Sequence, residues 1–299
     1  MRAAAAAPAA SAKKTMRIQL ECHPCLLRQA ARATRFAGGD NETAKRVLER
    51  AFTILQSHSG GRSPLTIAAR LLDLVREQTG VADPFAAEKT RSNAEARRWL
   101  PQLRRQLAAE PDPLEFALKA AVAGNIMDYG AFASFDLESL LASIHQRSFR
   151  LSARDQLESR LDSARTLAYL ADNAGEIEFD RLLIEHLLAT YPLERLRLVV
   201  RSSPFLNDVC AGDQVVREFE GIERLEVLQL SVDTAHRDPA VWREIVGSDV
   251  IVAKGMANFE NYSERDDFLF LVIAKCGLVS REVSQRSGQH VDKGDWLLV

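Results

Sequence analysis

Along the first half of the chain, apolar residues return at spacings of three and four. In "NETAKRVLERAFTILQSH", Ala44, Val47, Leu48, Ala51, Ile54 and Leu55 share one side of a 3.6-residue period. Asn41, with Asp40 beside it, is the type of residue that caps the first N–H groups of such a helix. "PLTIAARLLDLVREQTG" repeats the pattern and closes at Gly80, which tolerates the left-handed conformation that ends helices. "AEARRWLPQLRRQLAAE", "DPLEFALKAAVAGNIMDYG", "DLESLLASIHQ" and "ARDQLESRLDSA" continue in the same manner. The pattern predicts an all-helical domain over residues 16–160.

From about residue 161 the texture changes. "RTLAYLAD", "RLRLVVRSS", "RLEVLQLS", "SDVIVAKG" and "DWLLV" are short apolar runs bounded by polar residues, as strands buried on both faces are. Between the first two lies "EIEFDRLLIEHLLATYP", an amphipathic helix closed by Pro192. Strands alternating with helices build βαβ units. The fold class expected is therefore α/β: a Rossmann-like three-layer α/β/α domain with a mostly parallel sheet over residues 161–299, after the helical domain. "FLFLVIAKC" fits a buried strand or a buried helix, because a continuous apolar run carries no period.

Composition narrows the function classes. The 299 residues carry 39 Lys plus Arg against 41 Asp plus Glu, a formal charge of -2 that leaves no basic footprint for nucleic acid or an anionic membrane surface. No apolar run is long enough to span a bilayer. Residues 1–15, "MRAAAAAPAASAKKT", lack the Leu/Ile/Val-rich segment of a secretory signal and read as a disordered extension. Four cysteines in a chain of this length do not make a disulfide framework, so a reducing, cytoplasmic setting is expected. Nothing in the composition fixes an oligomeric state.

The candidate chemistry sits where strands end, the edge at which open α/β sheets bind ligands. The first strand runs into Asp172-Asn173. The second ends at Arg201 and leads to Asn207 and Asp208. A later one ends at Lys254-Gly255 and continues into "MANFEN". Asp and Asn oxygens are hard ligands for divalent ions, a lysine suits an anion, and a helix starting near Ala174 would aim free N–H groups at the same place. Metal, lysine and helix N-terminus together describe a phosphate site. Neither GxGxxG nor GxxxxGK[ST] is present, which argues against a dinucleotide oxidoreductase and a P-loop NTPase.

"ADNAGEIEFDRLLIE", "RSSPFLNDV", "AGNIMDYGA" and "KGMANFE" resemble the damage-control phosphatases, long called domain of unknown function 89, and "ECHPCLLRQA" resembles their prokaryotic CxxC-bearing branch. The resemblance runs from about residue 17 to the C-terminus. It implies a phosphatase of small phosphorylated metabolites, such as sugar phosphates or phosphopantetheine-like compounds, dependent on Mn²⁺, Ni²⁺, Co²⁺ or Mg²⁺. By position it makes Asp172, Asn173 and Asp208 the metal ligands, with Asp172 and Asp208 catalytic. Lys254 becomes the phosphate-binding, catalytic lysine, and Asn258, Asn125 and Asp128 face the substrate. Whether Asp172 is ligand only, nucleophile or base stays open. Met256-Ala257 stands where the family often has a glycine, which implies a stiffer loop. A non-catalytic sensor of a phosphorylated ligand is the alternative from another class.

Other polar residues have plainer readings beside the functional ones. Glu176 is either a substrate-facing group or an acid favoured in a helix's first turn. Arg201 is either a substrate contact or a strand-end salt bridge. Asp180 reads as a solvated helix residue. The six histidines are scattered without metal-ligand spacing. The pair Cys22-His-Pro-Cys25 reads first as packing at a helix start, with metal binding or redox chemistry as the other roles. Cys210 and Cys276 show no paired spacing to complete a zinc site.

Residues 1–15 lack periodic apolar positions, so their removal is expected to leave the melting temperature unchanged. A fall of several degrees in thermal unfolding of the truncated protein would show that the segment docks.

Overall fold

The computed structural model describes residues 16–57, 63–125, 137–232 and 238–299. The expectations for residues 1–15, Asp128, His58 and His236 lie outside these. The first half is helical: α1 (Cys22–Phe36), α2 (Asn41–Ser57), α3 (Pro64–Thr79), α4 (Ala86–Arg97), α5 (Leu100–Ala109), α6 (Pro113–Gly124), α7 (Leu137–Gln146) and α8 (Arg154–Leu161). A short strand, β1 (Leu151–Ser152), interrupts it. Gly80 ends α3 at φ 69°, in the left-handed region that its sequence position predicts.

The second half alternates. Here β2 (Thr166–Leu170), α9 (Glu176–Thr190), β3 (Arg195–Arg201), α10 (Gln214–Phe219) and β4 (Leu225–Leu230) precede α11 (Pro239–Val246) and β5 (Val250–Lys254). Then come α12 (Gly255–Tyr262), β6 (Phe268–Ile273), α13 (Gly277–Ser287) and β7 (Trp296–Leu298). The ambiguous run "FLFLVI" is the strand β6, buried at every position. "GMANFENY", read as a loop from sequence, is the helix α12, so the stiffness expected of Met256-Ala257 is that of a helical first turn.

Seven strands form one sheet in the order β1-β7-β6-β5-β2-β3-β4. All neighbours are parallel except β6 and β7. From β2 the chain winds outward through β3 and β4, then returns to place β5 on the other side of β2. The C-terminal ends of β2 and β5 therefore flank the point where winding direction reverses, which is where a cleft opens in doubly wound sheets.

Three apolar cores hold the layers. One joins α4–α8 to one sheet face and to α9, through residues such as Ala121, Phe179 and Leu183. The second lies on the other face beneath α11, α12 and α13. The third packs α1, α2 and α3 around Val47, Ile67 and Leu71 and receives Phe205 from the loop after β3. That contact sets the three N-terminal helices over the β3 end of the sheet. Among the described residues, no helix is long and apolar enough to cross a membrane.

Candidate active site

Asp172 and Asp208 meet because the backbones after β2 and β3 pair. Asn173 and Asp208 form an isolated antiparallel bridge. The N–H of Val209 donates to Asp172 O at 2.9 Å, and that of Ala174 donates to Asn207 O at 2.9 Å. Two neighbouring strands thus deliver their polar ends side by side.

Hydrogen bonds then fix one oxygen of each carboxylate. Asp172 Oδ2 accepts from Asn173 Nδ2 at 2.7 Å and from Asn125 Nδ2 at 3.3 Å. Asp208 Oδ2 accepts from Arg201 Nε at 2.7 Å. Asp172, Asn173 and Asp208 all stand on the wall of one cavity, and among the described residues no hydrogen bond holds the Oδ1 atom of any of the three. Three oxygens are left to share one ligand. Asn125, the residue that ends α6, also donates to Glu176 Oε2 at 2.5 Å, while Asn173 reaches that oxygen at 3.2 Å.

Behind this row lies a fully buried ion cluster. Lys254 Nζ donates to Asp180 Oδ1 at 2.7 Å, to Ala121 O at 3.1 Å, and to Glu176 Oε1. Tyr169 donates to the same Asp180 oxygen at 2.7 Å. Asp180 is thus not a solvated helix residue: it is 0% exposed. The three donors of Lys254 are all engaged inside the protein, and its side chain is absent from the cavity wall. In this geometry it is the counter-charge of Glu176 and Asp180. Arg201 proves to be a buried salt bridge to Asp208, and its Nη2 reaches Asn258 Oδ1 at 3.4 Å. Asn258 in turn donates to Lys254 O at 2.8 Å and Ala171 O at 3.1 Å, tying α12 to the ends of β2 and β5.

The electrostatics follow from the count. Asp172, Glu176, Asp180 and Asp208 are four buried carboxylates against two buried cations, Lys254 and Arg201, a formal buried excess of two negative charges that Lys275 on the cavity wall offsets in part. Burial, reinforced by the Glu176 and Asp208 carboxylates, pushes Asp172 well above the usual carboxylate range. Burial also raises Asp208, with Arg201 opposing. Burial brings Asp180 up to about 6 against the pull of Lys254. A divalent cation on the three free oxygens would offset the excess, so the residues fit the ion that the resemblance implies.

Residues 18–291 match the damage-control phosphatase ARMT1-like domain. The chain belongs to this family. A damage-control phosphatase of Archaeoglobus fulgidus is 29% identical, over 93% of this chain and 99% of that protein. One of Pyrococcus horikoshii is also 29% identical, over 92% of this chain and 97% of its own length. The crystal structure of a family protein from Pyrococcus horikoshii superposes with a TM-score of 0.79 at 24% identity, covering 95% of this chain and 99% of the other. That likeness shows the shared α/β fold.

The cavity of this family member, about 220 Å³, has walls that sequence reading missed. Met256 and Ala257 open α12 into it, and Gly277 and Leu278 open α13. First-turn N–H groups have no partner within their own helix, so both helices offer donors to an anion. No residue of α9, the helix expected near Ala174, lines the cavity, and the N–H groups of Ala174, Gly175, Ile177 and Glu178 go to Asn207 O, Asn93 Oδ1, Asn173 O and Gly175 O. Lys275 lines the cavity, and its charge favours the ionised form of Asp172. Its place next to β6 was hidden while "FLFLVIAKC" had no assigned structure. A second group, Asp83, Cys210 and Asp213, brings ligand atoms within 4.8 Å of one another. Lys89 Nζ already sits there, 2.8 Å from Asp83 Oδ2, 2.8 Å from Asp213 Oδ1 and 3.4 Å from Cys210 Sγ. The ammonium is that cluster's cation.

Gly255 is where the packing is tightest. Its φ is 76°, and an added Cβ would stand 1.9 Å from Asp172 Oδ2. Gly80 has a similar φ of 69° with nothing within 4 Å. Gly255→Ala is expected to lower the melting temperature by several degrees more than Gly80→Ala, since only the former adds a clash to the backbone strain of about 1–2 kcal/mol. Equal losses in thermal unfolding would show that Asp172 moves aside freely.

Glu260 also faces the cavity. It is half-buried on the cavity wall, and desolvation there raises it to about 7 from its ordinary value of 4.5. The folded state therefore binds a proton that the unfolded chain has lost, and the stability this gives disappears as pH rises from about 4.5 through 7. Thermal unfolding without divalent ions should show wild type losing stability relative to Glu260→Gln across that window. Parallel curves would mean that Glu260 is solvated.

Proposed function

We propose that the protein is a metal-dependent phosphomonoester hydrolase of small phosphorylated metabolites, in line with the names of its relatives. The observation that carries this reading is the convergence of Asp172, Asn173 and Asp208 oxygens on one cavity, beside a buried excess of two negative charges. Those three residues would hold Mn²⁺, Ni²⁺, Co²⁺ or Mg²⁺. When bound, such an ion polarises a phosphoryl oxygen and neutralises charge that develops on it. The chain's own groups do the rest. Asn125 and Asn173 orient Asp172, and Arg201 orients Asp208. Lys275 and the first-turn N–H groups of α12 and α13 receive the remaining phosphate oxygens. Lys254 and Asn258 act from behind, holding Glu176 and the start of α12 in place. Substrate contact by Asn125 and Glu176 would come through the same hydrogen-bonded row.

The test is a metal titration of p-nitrophenyl phosphate hydrolysis, with thermal stability followed in parallel. Asp172→Asn and Asp208→Asn should remove turnover while the protein stays folded, because each deletes a charge that favours the cation. Asn173→Ala should raise the metal concentration for half-maximal rate by roughly tenfold or more, as for loss of a supporting group at a metal site. Unaltered metal dependence in Asp172→Asn would sink the assignment.

A further inference from the structure

Of the CxxC pair, Cys22 packs against the α1–α3 core and Cys25 is exposed, yet both also reach the cavity. In the first turns of α1, Leu26 and Ala30 enter the core. Cys276, the residue before α13, and Glu260, on α12, stand on the same wall. Each of the three thiols lies within electrostatic reach of the others, and Glu260 within reach of Cys22 and Cys25. All three are free thiols. Two sulfurs already accept N–H groups: Cys22 Sγ from Gln19 N at 3.5 Å and Cys25 Sγ from Gln29 Nε2 at 3.9 Å. Burial raises both thiols above their ordinary value, against the Gln19 hydrogen bond at Cys22 and the charge of Arg28 at Cys25, so a cation is what would bring out the thiolates. Glu260 has neither hydrogen bond nor ion pair among the described residues. A carboxylate placed without a counter-charge in a concave, partly apolar wall calls for a cation.

We propose that Cys22, Cys25, Cys276 and Glu260 form a second metal site, for a soft divalent ion such as Zn²⁺, in the same cavity as the carboxylate site. Three sulfurs and one oxygen make a four-ligand set, with sulfur selecting Zn²⁺ over the hard ions that suit Asp172 and Asp208. No three of the four ligand atoms yet lie within 4.8 Å of one another. Closure therefore includes rotation of the cysteines about χ1, their single heavy-atom torsion. Binding releases the thiol protons to solvent, so affinity rises with pH. The two sites differ in ligand chemistry, so each can be removed without the other.

The experiment uses reduced full-length protein freed of metal by a chelator and titrated with Co²⁺. A thiolate-to-Co²⁺ charge-transfer band in the near ultraviolet is expected at one equivalent. Zn²⁺ should abolish it and shield three of the four cysteines from a colorimetric thiol reagent. The band should survive in Asp172→Asn and Asp208→Asn, vanish in Cys22→Ser and Cys276→Ser, and require at least about tenfold more Co²⁺ in Glu260→Gln. Cys25→Ser, at an exposed position, repeats the test where folding is least at risk. Absence of the band in wild type, its persistence in Cys25→Ser and Cys276→Ser, or its loss in Asp172→Asn would overturn the proposal. Hydrolytic activity enters none of these readouts, so failure here leaves the phosphatase reading untouched.

Discussion

The ammonium of Lys254 is the tie between the layers of this protein. It closes β5, yet its hydrogen bonds go to Ala121 on α6 and to Glu176 and Asp180 on α9. A lysine that is 0% exposed is tolerable only because two carboxylates and a carbonyl replace its water. The reverse also holds. Without it, Glu176 and Asp180 would be buried with no counter-charge, a defect of about 3–5 kcal/mol in comparable sites. Sheet, α9 and the helical half are thus joined by charge as well as by apolar contact.

Around this tie the buried charges do not balance, and that is what turns a structural network into a site. In a structural cluster each carboxylate meets a cation directly, as Asp83 and Asp213 each meet Lys89 at 2.8 Å. There the hydrogen bonds overcome burial and hold the ammonium above its usual range. At the β2 and β3 ends, Arg201 is shared between Asp208 and Asn258, and Asp172 receives amides alone. Amides orient a carboxylate without neutralising it. Asp172 is left waiting for a cation, and burial raises its proton affinity accordingly.

The same geometry explains why two lysines have different fates. Lys254 sits at the end of a central strand, under α9, and is consumed inside. Lys275 follows β6 and opens onto the cavity. Gly255 belongs to the same logic, because α12 begins so close to Asp172 that a side chain cannot fit. The close approach brings first-turn N–H groups of α12 toward the cavity.

The sequence by itself determined the fold class and the carboxylate row. Periods of 3.6 and buried apolar runs are local signals, and Asp172, Asn173 and Asp208 fall at strand ends because polar residues halt such runs. Where signals were not local, reading stopped. "FLFLVI" carries no period, so only pairing with β5 and β7 made it a strand. β1 is two residues long and exists through its partner β7 alone. The roles of Asp180, Lys254, Arg201 and Lys275 rested on which charges become neighbours, and Cys276 with Glu260 came to the CxxC pair from more than 200 residues away in the chain. Charge pairing and burial depend on distances that the sheet order sets, and tertiary structure alone supplies that order.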